Sequence, residues 1–327
     1  MTRVAVVGAG IMGCATAWAL AGRGAEVTLV EQFEAGHDRG SSHGRSRIVR
    51  LSYPDPDWVR LAAEARAGWA ELEVETGLTL IELHGLVELA ASRELTSEAA
   101  LAANGVEHRR LSTAEARALG VALPAGWAAL YESSGGIVRA DHARAAFLDS
   151  ALARGVRLET GRRVVSPDEL DADAVVVTAG AWVAALVPGL PVQVTRETTV
   201  YFRYEGPPLP SIIELEEIAG GHAAYALHDP VHGVKAGVHH AGAEADPDEA
   251  GVPDERLVAA TAAWVAERLP DVDPEPVGAE TCLYTTRPDE SFVLERRGRV
   301  VVGSACSGHG FKFAPVVGRR LAELALG

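Results

Sequence analysis

Only two lysines occur in the chain, Lys235 and Lys312, against 28 arginines. An ammonium is a compact, strongly hydrated point charge and a guanidinium a broad planar fork, so a site shaped around one does not accept the other. Both lysines lie among glycines, in Gly233-Val234-Lys235-Ala236-Gly237 and Gly308-His309-Gly310-Phe311-Lys312-Phe313. A second pattern, Gly8-x-Gly10-x-x-Gly13, follows an apolar run and opens a helix-like stretch. Gly8 permits a tight turn, Gly10 lets the backbone approach a pyrophosphate, and Gly13 lets the helix pack closely on the strand. The helix start offers free N–H groups and a positive dipole end to phosphate oxygens. Glu31, 23 residues after Gly8, stands where a carboxylate accepts from ribose hydroxyls and repels a 2′-phosphate. A bound dinucleotide follows, with NADP disfavoured and both NAD and FAD open on this pattern alone.

Those residues need positioning elements. The apolar run at 3–7, a helix at 11–21 and a strand at 26–30 make a β-α-β unit. A loop rich in Gly, Ser and Arg spans 36–47, and helical patterns cover 58–76, 94–103 and 113–119. Asp141 is expected to cap a helix over 142–154 that Gly155 ends. A strand at 173–177 runs into Thr178-Ala179-Gly180-Ala181-Trp182, and short β-rich runs follow at 198–204, 223–227 and 233–239. An acidic, proline-bearing loop at 244–254 precedes a helix over 256–269, and three strands and a helix over 310–326 close the chain. The expected class is α/β: a discontinuous Rossmann-like domain (residues 1–50, 130–190 and 275–327), with a second α+β domain on a mixed, largely antiparallel sheet (51–129 and 191–274).

Composition narrows the partners. A net charge of −15 disfavours nucleic acid and anionic membrane surfaces, while leaving a small anionic substrate open to a few local cations. Cys14, Cys282 and Cys306 form no C-x-x-C pair and no disulfide framework. With a strand opening the chain and no apolar run of bilayer length, a cytoplasmic protein is expected.

Three further segments separate the cofactors: Gly40-Ser41-Ser42-His43-Gly44-Arg45-Ser46-Arg47-Ile48-Val49-Arg50, Cys282-Leu283-Tyr284-Thr285 and Ser307-Gly308-His309-Gly310-Phe311-Lys312-Phe313. Together they resemble the monomeric sarcosine oxidase and N-methyltryptophan oxidase branch of the D-amino-acid-oxidase-like flavoproteins, over nearly the whole chain and in family order. The resemblance implies FAD, joined through the Cys282 sulfur to the flavin 8α-methyl group, a reaction that cations lowering the thiol pKa would assist. It implies that Arg50 and Lys312 hold a substrate carboxylate and that Arg47 lies beside the isoalloxazine ring. Lys235, with His239 in the same motif, is implied to assist dioxygen reduction, and Tyr225 and Tyr284 to shape the amine pocket. The implied cofactor contacts are Gly8, Gly10, Ile11, Met12, Gly13, Glu31, Gln32, Ser41, Ser42, His43, Arg47, Val164, Gly180, Trp182, Cys282, Gly308, His309, Gly310, Phe311 and Lys312. Arg45 and Ser46 depart from the family, which more often has an acid and a threonine there, and the chain stops at Gly327 without the short tail usual in these enzymes.

Two other chemistries are set aside. Five histidines fall between His222 and His240, and His228 and His232 have i, i+4 spacing, but Asp229-Pro230 and Gly233 argue against a helix and no acid or cysteine completes a set. No metal is expected. No G-x-S-x-G elbow is present. The resemblance therefore implies an FAD-dependent amine oxidase, a monomer or small homo-oligomer, acting on a secondary amino acid (sarcosine, another N-methyl amino acid or a cyclic imino acid). It would use dioxygen and form hydrogen peroxide; the alternatives are a D-amino-acid or glycine oxidase, or a flavin dehydrogenase with another acceptor.

Overall fold

The computed structural model describes residues 1–91 and 94–327. Among the described residues the chain forms three sheets. The first has six strands in the order Val293–Arg297, Val300–Ser304, Ala174–Val177, Arg3–Val7, Glu26–Val30 and Arg157–Glu159, parallel except for the first pair. Its central strands are runs of valine because both faces are covered. The alternation of side chains separates two cores. Val4, Val6, Leu29 and Val176 pack beneath the helices Ile11–Gly22, Ala140–Ala153 and Ala314–Leu326. Ala5, Val7, Val175 and Val177 point the other way, towards Leu186 and Leu190.

The large sheet is mixed and mostly antiparallel. Its order is Ala243–Glu244, Gln193–Arg203, Gly233–His239, Ala223–Asp229, Ser211–Glu214, Leu86–Ala90, Ala128–Glu132 and His108–Arg110, with Pro276–Thr286 also pairing Gln193–Arg203. Only Ser211–Glu214 and Leu86–Ala90 run parallel among these pairings. The helix Glu255–Arg268, capped by the Asp254 carboxylate on Arg256 N–H, lays Trp264 and Val265 against Phe202, Val234 and Ile212 on this sheet. A small third sheet joins Ser46–Val49, Gly136–Arg139 and Ile81–Glu82, and so anchors the segment that carries Arg47 and leads to Arg50.

The α/β class expected from the sequence is what the chain adopts, and three details differ. Asp141 lies in the first turn of Ala140–Ala153, while the cap is Arg139, because Arg139 ends a strand and Ala140 N–H already bonds the Arg45 carbonyl. The helix expected from 94 is confined to Glu98–Ala103. The closing helix starts as a 3-10 turn, Gly310–Phe313, before Ala314–Leu326, and Lys312 sits in that turn.

Candidate active site

A cavity of about 520 Å3 runs from the glycine turn after the first strand into the large sheet, with both lysines on its wall. At its dinucleotide end lie Gly8, Gly10, Ile11, Met12, Glu31 and Gln32, with Ser41, Ser42, Val164, Gly180 and Trp182 around them. Gly8 has φ +98°, a left-handed conformation natural to glycine, and a Cβ there would stand 2.7 Å from the Thr178 carbonyl oxygen. Gly13 is outside the cavity wall; a Cβ on it would collide with the Gly8 carbonyl, so its part is close helix–strand packing. The Ser42 hydroxyl accepts from Ile11 N–H at 3.0 Å, which settles one of the donors at the helix start. Glu31 is buried, and its carboxylate accepts from Ala9 N–H at 2.7 Å and Phe33 N–H at 3.0 Å. Burial opposes its charge, but these bonds and His37 hold its pKa below the usual carboxylate value.

Toward the large sheet the cavity meets Arg47, Arg50, Lys235, Cys282, Tyr225 and Tyr284, with His239 and the run Gly308 to Lys312 completing the wall. The register explains the grouping. Tyr225 pairs with Gly237, where the lack of a side chain leaves room for the tyrosine ring, and Lys235 lies two residues along the same strand. Cys282 and Tyr284 alternate onto one face of Pro276–Thr286. Arg47 donates to the carbonyls of Ser41, Ser46 and His43, so its guanidinium ties the Gly-rich loop into a fixed shape as well as lining the cavity. His43 is off the wall; burial, then Arg47, pushes its pKa down to about 4.

Lys235 is 4% exposed. Its ammonium pairs with Glu280 at 3.3 Å, and the Tyr201 hydroxyl donates to the same Glu280 oxygen. Burial and the nearby Arg47 pull the Lys235 pKa down to about 8, with Glu280 acting in the opposite direction. Lys312 is 6% exposed and donates to neutral oxygens, the Tyr53 hydroxyl at 3.0 Å and the His309 carbonyl at 2.6 Å. Arg50 lies over the Tyr53 ring at 4.0 Å and bonds the Ser52 carbonyl. Burial, then the Arg50 charge, drives the Lys312 pKa well down.

His239 is held neutral, its pKa well below the ordinary imidazole value through burial and the neighbouring His240, with its Nδ1 3.2 Å from the Tyr284 hydroxyl. His309 joins the Tyr53 hydroxyl at Nδ1 and the Glu290 carbonyl at Nε2, both 3.2 Å. Burial, then Lys312, pushes its pKa down to about 3. One tautomer satisfies the chain: Lys312 donates to Tyr53, Tyr53 to His309 Nδ1, and His309 Nε2–H to Glu290.

Cations do stand near the Cys282 thiol, but they do not set its net state. Arg47 and Lys235 do act downward, but enclosure outweighs them and pushes the thiol up to about 11. Arg45, the departure from the family, pairs its Nε with the fully buried Asp229 at 2.9 Å and covers the Tyr201 ring. His228 and His232 do not converge: His228 Nδ1 meets the Gly233 carbonyl and His232 leans on Tyr201.

Sequence reasoning missed Tyr53, Glu280 and Glu290. Glu280 carried a signal, being two residues before Cys282 in a β-rich run. Tyr53 and Glu290 lie in loops without periodicity; tertiary contacts bring Glu290 to the cavity wall and Tyr53 against Lys312 and Arg50.

The profile of the FAD dependent oxidoreductase family matches residues 3–324. The chain belongs to that family. Among its relatives, the peroxisomal sarcosine oxidase of Homo sapiens is 36% identical, over 98% of this chain and 91% of the relative. The monomeric sarcosine oxidase of Bacillus sp. (strain B-0618) is 30% identical, over 99% and 92%. In structure the oxidoreductase is similar to the open form of NikD, an unusual amino acid oxidase essential for nikkomycin biosynthesis, with TM-score 0.87, 26% identity and coverage of 100% and 94%. FAD fits the residues present. The glycine turn excludes side chains where a pyrophosphate would approach, Glu31 reaches the wall, and the cavity continues without interruption to both lysines. Among the described residues no helix is long and apolar enough to cross a membrane.

Proposed function

We propose that this oxidoreductase oxidises a secondary amino acid, such as sarcosine, another N-methyl amino acid or a cyclic imino acid, to the imine. Dioxygen is the acceptor and hydrogen peroxide the second product. FAD, when bound, would supply the hydride acceptor for the carbon beside nitrogen and the electrons that dioxygen receives. The observation that carries the reading is Lys312: a buried ammonium with only neutral hydrogen-bond acceptors, next to Arg50 in one cavity. A cation so placed gains most from an anion that arrives with the ligand. A carboxylate gripped between ammonium and guanidinium is fixed in direction, which aims the adjacent C–H bond. Tyr53 holds Lys312 in place through its hydroxyl and Arg50 through its ring.

Tyr225, Tyr284 and neutral His239 form an uncharged wall suited to a neutral amine, and no strong general base is needed if the amine binds unprotonated. Lys235 supplies positive charge where dioxygen gains electrons, an effect of preorganised electrostatics, and Glu280 keeps that charge in position. Cys282 is the thiol proposed to bond covalently to FAD. These residue roles rest on the family resemblance and the shared cavity. Two domains with the boundaries expected from the sequence, a cytoplasmic location and a monomer or small homo-oligomer belong to the same reading.

The test is oxygen uptake with peroxide detection across N-methyl, cyclic and primary amino acids. Turnover of N-methyl or cyclic substrates with stoichiometric peroxide is expected. Turnover of primary amino acids alone, or reduction of an artificial acceptor without oxygen uptake, overturns the proposal.

A further inference from the structure

The strands Ala223–Asp229 and Gly233–His239 pair in antiparallel register up to Ala223 opposite His239. The next residues, His222 and His240, therefore face each other just past the ends, where His222 N–H bonds the His239 carbonyl. Their rings lie 5.1 Å apart. Glu290 reaches the same point from another part of the chain, held by its N–H on the Arg287 carbonyl and by His309 on its own carbonyl. Its carboxylate oxygen is 3.4 Å from His222 Nδ1 and 3.6 Å from His240 Nε2, and the three ligand atoms lie within 4.8 Å of one another.

We propose that His222, His240 and Glu290 bind one divalent transition-metal ion of the zinc type at the solvent edge of the cavity. Zinc–ligand bonds of about 2.0–2.1 Å at tetrahedral angles place donor atoms roughly 3.4 Å apart, close to the two histidine–carboxylate separations seen. A second observation is independent of that spacing. The His240 side chain is 8% exposed, yet its Nε2 has no hydrogen-bond partner and points into the cluster. Buried polar nitrogens are rarely left unpaired. Two of the three donors also sit on left-handed backbone, His240 at φ +56° and Glu290 at φ +54°, conformations uncommon for such residues.

His222 and Glu290 line the cavity while their side chains are 66% and 43% exposed, so the ion would stand at its mouth. Three protein donors leave a fourth position open to water or ligand. The bound ion would tie the Glu290 loop to the strand ends and narrow the way in, which makes occupancy inhibitory. Neither His228 nor His232 takes part.

The holoenzyme titrated with zinc chloride in metal-free buffer is expected to bind one equivalent by calorimetry. His222→Asn and Glu290→Gln should each weaken that binding at least tenfold. His222 is exposed, so its replacement leaves the packing intact, and thermal melting checks that both variants fold. Cobalt(II) in place of zinc should give visible ligand-field absorption that both variants lose. Absence of stoichiometric binding, or binding that both variants retain unchanged (as at the cysteines), overturns the proposal.

Discussion

The Lys235 ammonium lies 3.3 Å from a Glu280 carboxylate oxygen, across the strand Gln193–Arg203, which pairs with both of their strands. Glu280 partly offsets the burial and the Arg47 charge that act against the Lys235 ammonium on the cavity wall. Burial lowers the Lys235 pKa to about 8, and Glu280 keeps it from falling further. Removing Lys235 as Lys235→Met should slow the oxygen-dependent half-reaction by about 10²–10³-fold and the amine-dependent half-reaction far less. Stopped-flow traces of the two half-reactions check this, and equal slowing of both defeats the role given to Lys235.

The same pair has a pH signature. Lys235 carries its charge below its pKa, so the rate with dioxygen should fall as pH rises through about 8. Glu280→Gln removes a negative neighbour that raises that pKa. Its midpoint should therefore move to lower pH, and a midpoint that stays put or rises contradicts the assignment.

Carboxylate binding should report on Lys312. In the ligand-free protein its pKa is well below the ordinary lysine value, so a bound carboxylate favours the protonated form. Above the ligand's own carboxyl pKa, affinity for a simple carboxylate such as acetate should decline as pH rises. Lys312→Met should lose about 2 kcal/mol or more of that affinity and flatten the decline. Spectral titration of the flavin at several pH values measures both effects.

Cys282→Ser should leave a folded protein that binds FAD but releases it on acid precipitation. The wild type should keep its yellow colour in the pellet. Colour in both supernatants means that no thioether forms.

Gly13→Ala tests the packing beneath the dinucleotide turn. Its new Cβ would collide with the Gly8 carbonyl and come within 2.8 Å of Thr178 Oγ1. Overpacking of this kind costs about 1–3 kcal/mol. A lower urea midpoint together with weaker FAD retention is expected.

Sequence reading succeeded where the physical demand is local. The glycine turn is imposed by the positive φ of Gly8 and by the close approach of Gly13 to the Gly8 carbonyl, and the strand Arg3–Val7 and helix Ile11–Gly22 follow from neighbouring residues. Of the expected site residues, all but Gly13 and His43 line one cavity. Reading failed where pairing across the chain decides. The turn from Arg287 to Glu290 is local, but Glu290 meets His222 only because the bond from His309 and the pairing of distant strand ends bring that turn there. The net state of the Cys282 thiol was not legible for a related reason: its charged neighbours can be guessed from motifs, whereas enclosure depends on the assembled sheet.

Cys282 belongs to the large sheet, while the glycine turn belongs to the six-stranded one. A flavin seated on the glycines and bonded to that sulfur would act as a rivet through the seam between the two sheets. Hinge opening along the seam would then be mechanically forbidden, and substrate traffic would fall to the rim around Glu290.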